Sequence, residues 1–239
     1  MKLLIGIPSP RDIPNFKLAI DRINHDKIWV KYMGYQYDPY GQMRDFFLQH
    51  DEYTHFAICQ DDLILHPKGV QTLIDDLELY PIISACFNVE KNDFQCTYRT
   101  SWPIGATKNL PTIKLPRIYD WYTWGELKKL GRYVPVKHTG KAFCIIPRDI
   151  MEKLTFQGDK GVLNPDKPSA YDLGMSHEFQ QFGVQEYIDT EVFFAHFRYG
   201  GDIMNNKLPQ QLWYEKVGHE KMVLPPIKRT PFASHNTFK

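Results

Sequence analysis

The first ninety residues of this 239-residue chain alternate short apolar runs with amphipathic segments, and this alternation restricts the fold more than any other feature. Strands that alternate with helices pair in parallel through right-handed crossovers. We therefore predict an α/β fold with a central, mostly parallel sheet flanked by helices, and ligands bound beyond the carboxyl ends of the strands. The apolar runs that predict strands are residues 3–7, 28–32, 54–59 and 81–87, and the helical segments are 15–23, 40–50 and 67–79.

The pattern weakens after residue 87 and becomes regular again near residue 142. Prolines 103, 111, 116 and 135 interrupt the intervening stretch, which predicts irregular structure with one short helix at 124–130. Beyond it we predict a strand at 142–146, helices at 148–154 and 172–182, and one or two strands within 187–197.

Composition excludes several classes of protein. The 29 basic and 28 acidic residues give a net charge of +1, so no broad field attracts nucleic acid or anionic lipid. None of the four cysteines forms a C-x-x-C pair, and Cys59 and Cys144 lie in apolar runs typical of buried thiols. No segment predicts a signal peptide or an integral membrane span, so we expect a cytoplasmic protein.

Two adjacent carboxylates follow the third predicted strand. Asp61 and Asp62 stand between apolar residues and come directly after Gln60. Like charges at this spacing repel each other, and burial raises the cost. A divalent cation, Mn²⁺ or Mg²⁺, relieves both problems and in turn binds a diphosphate. A pair of solvated turn aspartates is the alternative, and these residues alone leave both interpretations open.

Residues 40–79 resemble the pattern of GT-A glycosyltransferases. The matching features are Arg44 in a helix, an apolar strand, a D-x-D motif at 60–62 and a helix that begins at Pro67. Gln60 replaces the first acidic residue of the motif. The resemblance implies that Asp62 is a metal ligand, that Gln60 and Asp61 contact the donor, and that Arg44 holds the nucleotide base or pairs with a carboxylate.

The segment 171–183 resembles the acidic pair of the same family, which opens a helix that ends at a glycine. Asp172 and Gly183 have that spacing, whereas Tyr171 replaces the usual glutamate. In inverting members this region supplies the general base, which implies that role for Asp172, with Glu178 as the second candidate. An ordinary helix N-cap is the alternative for Asp172.

Two further matches lie near these segments. His196 follows the late strands, where a family histidine completes the metal shell. Gly140 lies in a turn that approaches the donor sugar, with Lys141 or His138 facing the diphosphate. A buried core histidine and a simple turn glycine are the alternatives.

The loops after the first two strands carry the remaining candidates. The resemblance implies nucleotide contacts for Pro8, Ser9, Arg11 and Asp12 after the first strand and for Asp38 after the second. Each charged residue among them has the alternative of being a solvated loop charge.

Together these matches predict a single GT-A (Rossmann-like) domain that transfers a sugar from a UDP- or GDP-sugar to a glycan or another hydroxyl acceptor. Residues 1–95 would form the nucleotide-sugar-binding half, residues 96–200 the acceptor-binding and catalytic half, and residues 201–239 a C-terminal tail. A sugar-phosphate nucleotidyltransferase would use a similar sheet, but with a glycine-rich loop that is absent after the first strand. A non-catalytic carbohydrate-binding domain of the same fold is the third alternative.

Overall fold

A computed structural model of the chain describes residues 1–9, 14–31, 38–87, 95–98, 121–156, 171–198 and 202–203. The strands are β1 (Leu3–Ser9), β2 (Asp26–Lys31), β3 (His55–Cys59), β4 (Leu63–Ile64), β5 (Ile83–Phe87), β6 (Gln95–Tyr98), β7 (Trp121–Thr123), β8 (Tyr133–Val136), β9 (His138–Thr139), β10 (Phe143–Pro147), β11 (Glu186–Arg198) and β12 (Asp202–Ile203). The helices are α1 (Pro14–Ile20), α2 (Pro39–Leu48), α3 (Pro67–Asp76), α4 (Trp124–Leu130), α5 (Arg148–Met151) and α6 (Tyr171–Gln181).

The central sheet follows the order β12-β11-β5-β10-β3-β1-β2, and β4 and β8 pair with β11. Strands β1, β2 and β3 are mutually parallel, and β5 pairs in parallel with β11. Strand β10 lies antiparallel between β3 and β5, so its first residues lie at the same edge as the last residues of β3. A second sheet has the order β7-β6-β9. The prediction of a central, mostly parallel sheet is confirmed.

Helices cover both faces of this sheet because successive strand residues point to opposite faces. On one face, α1 and α3 pack their apolar side chains against residues such as Ile5 and Ala57. On the other, α2, α5 and α6 pack against residues such as Leu4 and Phe56. The buried helix residues of the two cores are Phe16, Ile20, Val70 and Leu73 on the first face and Met43, Phe47, Ile150, Met151, Met175 and Phe179 on the second.

The predicted helix at 172–182 is α6, and its end shows why glycine stands at position 183. Gly183 has φ +72°, a left-handed conformation that costs glycine little and other residues more. The chain then reverses, and the backbone N–H of Val184 donates to the carbonyl of Phe179 at 2.8 Å.

The segment 187–197 forms one strand, β11, with a register shift between Asp189 and Phe193. Strands β4, β6, β7, β8, β9 and β12 were not predicted, because each is short, and all but β12 pair with a partner far away in sequence. Strand β10, from the predicted second half, lies between β3 and β5 of the first half, and the division into halves stays a prediction. Within the described ranges no helix has the length and apolarity to cross a bilayer.

Candidate functional site

The acidic turn after β3 is buried at the carboxyl end of the sheet. Asp61 is 2% exposed and Asp62 is 6% exposed, which rules out a pair of fully solvated turn aspartates. Burial raises the pKa of the neighbouring Cys59 thiol well above its usual value, and the charges of Asp62 and Asp61 raise it further. Negative potential is therefore concentrated at this edge, where a cation and its phosphate ligand would be favoured.

Neighbouring strands bring other predicted residues to this edge. The last aligned pair of β1 and β3 is Gly6 with Ile58, and Ser9 and Asp61 each lie three residues beyond that pair. Pro8 and Ser9 are the buried last residues of β1. Arg11 and Asp12 lie outside the described residues.

His196 reaches the acidic turn through its backbone. Strand β11 pairs with β4 so that His196 lies opposite Leu63, the residue that follows Asp62. The side chain of His196 lies outside the described part of the chain. The sheet register thus brings the backbone of His196 beside the strand that directly follows Asp62.

Gln60 fastens the acidic turn to the start of β10. Its side-chain nitrogen donates to the carbonyl of Gly140 at 3.1 Å, and its backbone N–H donates to the carbonyl of Ala142 at 2.9 Å. An ionised aspartate or glutamate only accepts, so it would set a carboxylate oxygen against the Gly140 carbonyl. This contact gives a physical reason for the amide that replaces the first acidic residue of the motif. A Cβ added at Gly140 would come within 2.5 Å of the Phe87 ring.

The side chain of Lys141, the residue after Gly140, is buried in the protein interior. Its φ is +50°, a conformation that L-residues adopt at a cost of about 1–2 kcal/mol. The ammonium is 1% exposed and donates to Glu186 at 2.5 Å, to Ser176 at 2.7 Å and to the Thr139 hydroxyl at 3.2 Å. The expectation that Lys141 faces a diphosphate is therefore wrong, because its charge is neutralised by the buried Glu186.

The same contacts continue to Asp172 through His138. Nδ1 of His138 lies 2.9 Å from the hydroxyl oxygen of Ser176, and Nε2 lies 3.6 Å from Oδ2 of Asp172. Burial lowers the pKa of His138 well below its usual value, and the charge of Lys141 lowers it further. We call Glu186, Lys141, Ser176 and His138 the lysine network. It begins under the sheet edge and ends at the carboxylate of Asp172.

Asp172 lies in the first turn of α6, beside an aromatic group. Its side chain is 30% exposed, whereas that of His138 is 7% exposed, so the carboxylate lies on the solvent side of the pair. The preceding Tyr171 packs on Tyr40 with ring centroids 4.7 Å apart. Burial raises the pKa of Tyr171, and the nearby charge of Asp38 raises it further. Asp38 itself caps α2 by accepting from the backbone N–H of Gly41.

Two sequence-predicted residues contact the protein elsewhere. Arg44 donates to the backbone carbonyls of Met151 and Glu152 at the end of α5, and its nucleotide contact stays a prediction. Glu178 accepts from the backbone N–H and hydroxyl of Thr155, which joins α6 to the segment after α5.

The acidic turn supplies the donors that a divalent cation prefers. Among the described side chains no three metal-ligating groups converge, and His196 is not among those side chains. Asp61 and Asp62 offer carboxylate oxygens, the ligand type suited to Mg²⁺ and Mn²⁺, and the register places the backbone of His196 opposite Leu63, the residue after Asp62. The two carboxylates are therefore of the type that fits such a cation, and the metal roles of Asp62 and His196 stay predictions.

Sequence reasoning missed Ser176 and Glu186, which complete the lysine network. Both are 2% exposed. Glu186 opens β11, which also contains Asp189, Thr190 and Glu191, so its one signal is an acidic residue at the start of a strand, where burial would require a counter-ion. Ser176 carries no comparable signal, because a serine within a helix is ordinary.

No protein family model matches the chain, and no curated protein matches it. The crystal structure of A197 from STIV is similar to it with a TM-score of 0.53 and 15% sequence identity, over 87% of this chain and 97% of that chain. At that identity the similarity describes the fold, an α/β sheet flanked by helices.

Two more distant structures are similar over much of the chain. CMP:2-keto-3-deoxy-manno-octonic acid synthetase complexed with CTP has a TM-score of 0.42 and 11% identity, over 91% of this chain and 99% of that chain. Apo UDP-glucose pyrophosphorylase has a TM-score of 0.39 and 12% identity, over 82% of this chain and 74% of that chain. Similarity at this distance assigns no activity.

Proposed function

We propose that the protein is a glycosyltransferase of the GT-A type, which transfers a sugar from a UDP- or GDP-sugar to an acceptor hydroxyl. The observation that carries the proposal is the buried Asp61–Asp62 turn at the end of β3, reached from the start of β10 through Gln60 and Gly140. His138, two residues before Gly140, lies 3.6 Å from the partly exposed carboxylate of Asp172. These contacts support a site in which the acidic turn binds a cation and Asp172 acts as the base.

Asp172 is the proposed base in this reaction. Its carboxylate takes the proton of the acceptor hydroxyl while the acceptor oxygen forms a bond to C1 of the donor sugar. The bond from C1 to the diphosphate oxygen breaks, and the diphosphate leaves with the electron pair, so the anomeric centre inverts. Positioned bases contribute about 10²- to 10⁴-fold in rate.

Asp62 and His196 would hold the divalent cation, with Asp61 beside them. When bound, such a cation supplies positive charge against the leaving diphosphate. Gln60 keeps the acidic turn at a fixed distance from the turn that carries Gly140, because its amide joins the two. Burial of both aspartates keeps water from screening their charge.

A sugar-phosphate nucleotidyltransferase is the second candidate, because the same buried acidic turn would hold a cation against a nucleoside triphosphate. The nucleophile in that reaction is an ionised phosphate oxygen, which needs no base. Asp172, with the buried His138 behind it, favours the transfer to a hydroxyl, which does need one.

The test is mass spectrometry of products from a panel of UDP- and GDP-sugars with simple sugar acceptors and Mn²⁺. We expect a glycosylated acceptor and free UDP or GDP. Glucose 1-phosphate with UTP serves as the competing reaction, and formation of UDP-glucose and pyrophosphate there would favour the nucleotidyltransferase. No product in either reaction would contradict both enzymatic candidates and favour a carbohydrate-binding domain.

Variants assign the roles in the active reaction. Asp62→Asn should abolish metal-dependent turnover, and Asp172→Asn should lower kcat by about 10²- to 10⁴-fold with little change in the donor KM. Asp51→Asn is the matched control, because the Asp51 side chain is 99% exposed. If Asp172→Asn raises the donor KM as much as it lowers kcat, Asp172 binds donor and is not the base.

A further inference from the structure

The lysine network connects three segments that are separate in sequence: the stretch 138–141, helix α6 and strand β11. Lys141 comes from the turn before β10, Glu186 from β11, Ser176 from α6 and His138 from β9. All four residues are at most 5% exposed. The Lys141 ammonium donates to Glu186, Ser176 and Thr139, so the orientation of each of these groups constrains the next.

The donor and the acceptor at each contact of the network follow from the chemistry of its side chains. The Lys141 ammonium has only donors, so the Ser176 hydroxyl oxygen accepts from it at 2.7 Å. The hydroxyl hydrogen is then available to Nδ1 of His138, 2.9 Å away. A neutral imidazole that accepts at Nδ1 carries its hydrogen on Nε2, which lies 3.6 Å from Oδ2 of Asp172.

The charges around His138 favour this neutral form. Lys141 approaches from the turn before β10 and disfavours a second positive charge, as does burial. Asp172 on α6 is the carboxylate that faces the ring, and Glu186 on β11 lies behind Lys141 and neutralises it. The ring therefore directs its Nε2–H toward Oδ2 of Asp172, at a distance of 3.6 Å that is longer than a hydrogen bond, and it carries no full charge.

We propose that His138 is a positioning residue for Asp172, and that the Lys141–Glu186 pair, acting through Ser176, fixes His138 as the Nε2–H tautomer. The catalytic consequence rests on the proposed function: the Nε2–H of His138 lies 3.6 Å from Oδ2 of Asp172 and attracts that oxygen, which limits the orientations that Asp172 presents to the acceptor hydroxyl. No proton leaves Asp172 through this network, because Nε2 of His138 already carries a hydrogen. The network orients the base and is not a relay.

The first test is independent of any activity. In protein labelled with ¹⁵N-histidine, the two ring nitrogens of His138 report both its charge and its tautomer, with His138→Gln used to assign the signals. We expect a neutral ring with hydrogen on Nε2 from pH 5 to pH 8. In Ser176→Ala that tautomer should lose its preference. A ring that is protonated at pH 6 in wild type, or one with its hydrogen on Nδ1, overturns the proposal.

The second test compares two amides at position 138. A glutamine side chain carries its nitrogen near the place of Nε2, whereas an asparagine side chain reaches only the place of Nδ1. With the UDP- or GDP-sugar that the panel identifies, we expect His138→Asn to lower kcat about 100-fold, the cost of a misplaced reacting group, with the donor KM unchanged. We expect His138→Gln to recover about a tenth of the wild-type kcat or more.

Thermal unfolding of each variant separates positioning from folding. Equal loss of kcat in His138→Asn and His138→Gln, at equal melting temperatures, overturns the positioning role. If wild-type protein turns over no donor, the proposed function fails, whereas the tautomer measurement still decides what holds His138. The two failures are therefore distinguishable.

Discussion

Two buried charge clusters meet on β11, and they differ in where they end. Arg132 binds both Asp76 and Asp189 at 3.0–3.1 Å, and Tyr133 donates to Asp76 at 2.8 Å. We call these four residues the arginine cluster. It extends to Glu191, 3.8 Å from Arg132, but to no candidate site residue among those described, and in that sense it is closed; it holds α3, β8 and β11 together.

The lysine network starts only three residues earlier on β11, at Glu186, but it stays open at one end. Its last member, His138, lies beside the partly exposed carboxylate of Asp172. We therefore expect changes in the arginine cluster to lower only the stability of the fold. Changes in the lysine network should lower both stability and donor turnover. In both clusters one carboxylate oxygen, Oδ2 of Asp76 or Oε1 of Glu186, has no hydrogen-bond partner among the described residues.

Loss of the lysine charge should have the largest effect. Lys141→Met keeps the side-chain length but leaves Glu186 buried without its cation. We expect the free energy of unfolding to fall by about 3–5 kcal/mol in urea denaturation at pH 7.5. The double variant Lys141→Met with Glu186→Gln should regain most of it. A loss below about 1 kcal/mol for the single variant would show that the pair is not buried.

Loss of the arginine should cost less, because Arg132 is 37% exposed and water replaces part of its interaction. We expect Arg132→Met to lower the free energy of unfolding by about 2 kcal/mol at pH 7.5, with donor turnover unchanged. Lys129→Met, on the exposed end of α4, is the control. A fall in turnover without a fall in stability would mean that the closed cluster also serves the site.

The free energy of unfolding should depend on pH through the protonation of Asp76. Burial raises its pKa from 3.8 to about 6, and the adjacent Asp189 raises it as well. The folded protein then binds this proton more tightly than the unfolded chain, so the stabilisation is complete below about pH 4 and is lost as pH rises through 6. In Asp76→Asn, the change in the free energy of unfolding between pH 4.5 and pH 7.5 should be smaller than in wild type by about 1–3 kcal/mol.

Urea denaturation at pH 4.5, 5.5, 6.5 and 7.5 measures this effect. Asp75→Asn is the matched control, because Asp75 is the exposed neighbour on the same helix turn. An unchanged pH profile in Asp76→Asn would contradict the assignment of the raised pKa to this residue.

Deletion of one hydroxyl from each cluster should give the smallest effects and the cleanest contrast. Tyr133→Phe removes a donor to Asp76, and Ser176→Ala removes the link between Lys141 and His138. We expect each to cost about 1 kcal/mol in stability. Only Ser176→Ala should alter the tautomer of His138 and the donor kcat. Equal effects of both variants on kcat would erase the distinction between the clusters.

Much of the fold was predictable because the period of apolar residues reports local structure directly. Strand β1, helix α3 and helix α6 each begin and end near the residues that periodicity indicated. Strand β8 was missed because Pro135 interrupts it, yet Pro135 is an exposed residue of a short strand whose partner is β11. Nothing local to that segment indicates this pairing.

The site was predictable in part. Acidic residues at a strand end indicated the buried turn at Asp61 and Asp62, and a helix start indicated Asp172. The contact between His138 and Asp172 joins residues 34 positions apart. Ser176 and Glu186 reach Lys141 only through the tertiary fold, which no local pattern reports. Sequence also offered Lys141 or His138 as the residue that faces the diphosphate, because a lysine beside a glycine turn gives no sign that its partner is buried.

Binding of UDP and GDP by isothermal titration calorimetry, with and without Mn²⁺, tests the proposed activity most directly. Wild-type protein should bind one of these nucleotides only when the metal is present, and Asp62→Asn should lose that binding while its melting temperature without ligand stays unchanged. Equally strong binding without Mn²⁺, or binding that survives Asp62→Asn, would contradict a cation-held diphosphate at the end of β3.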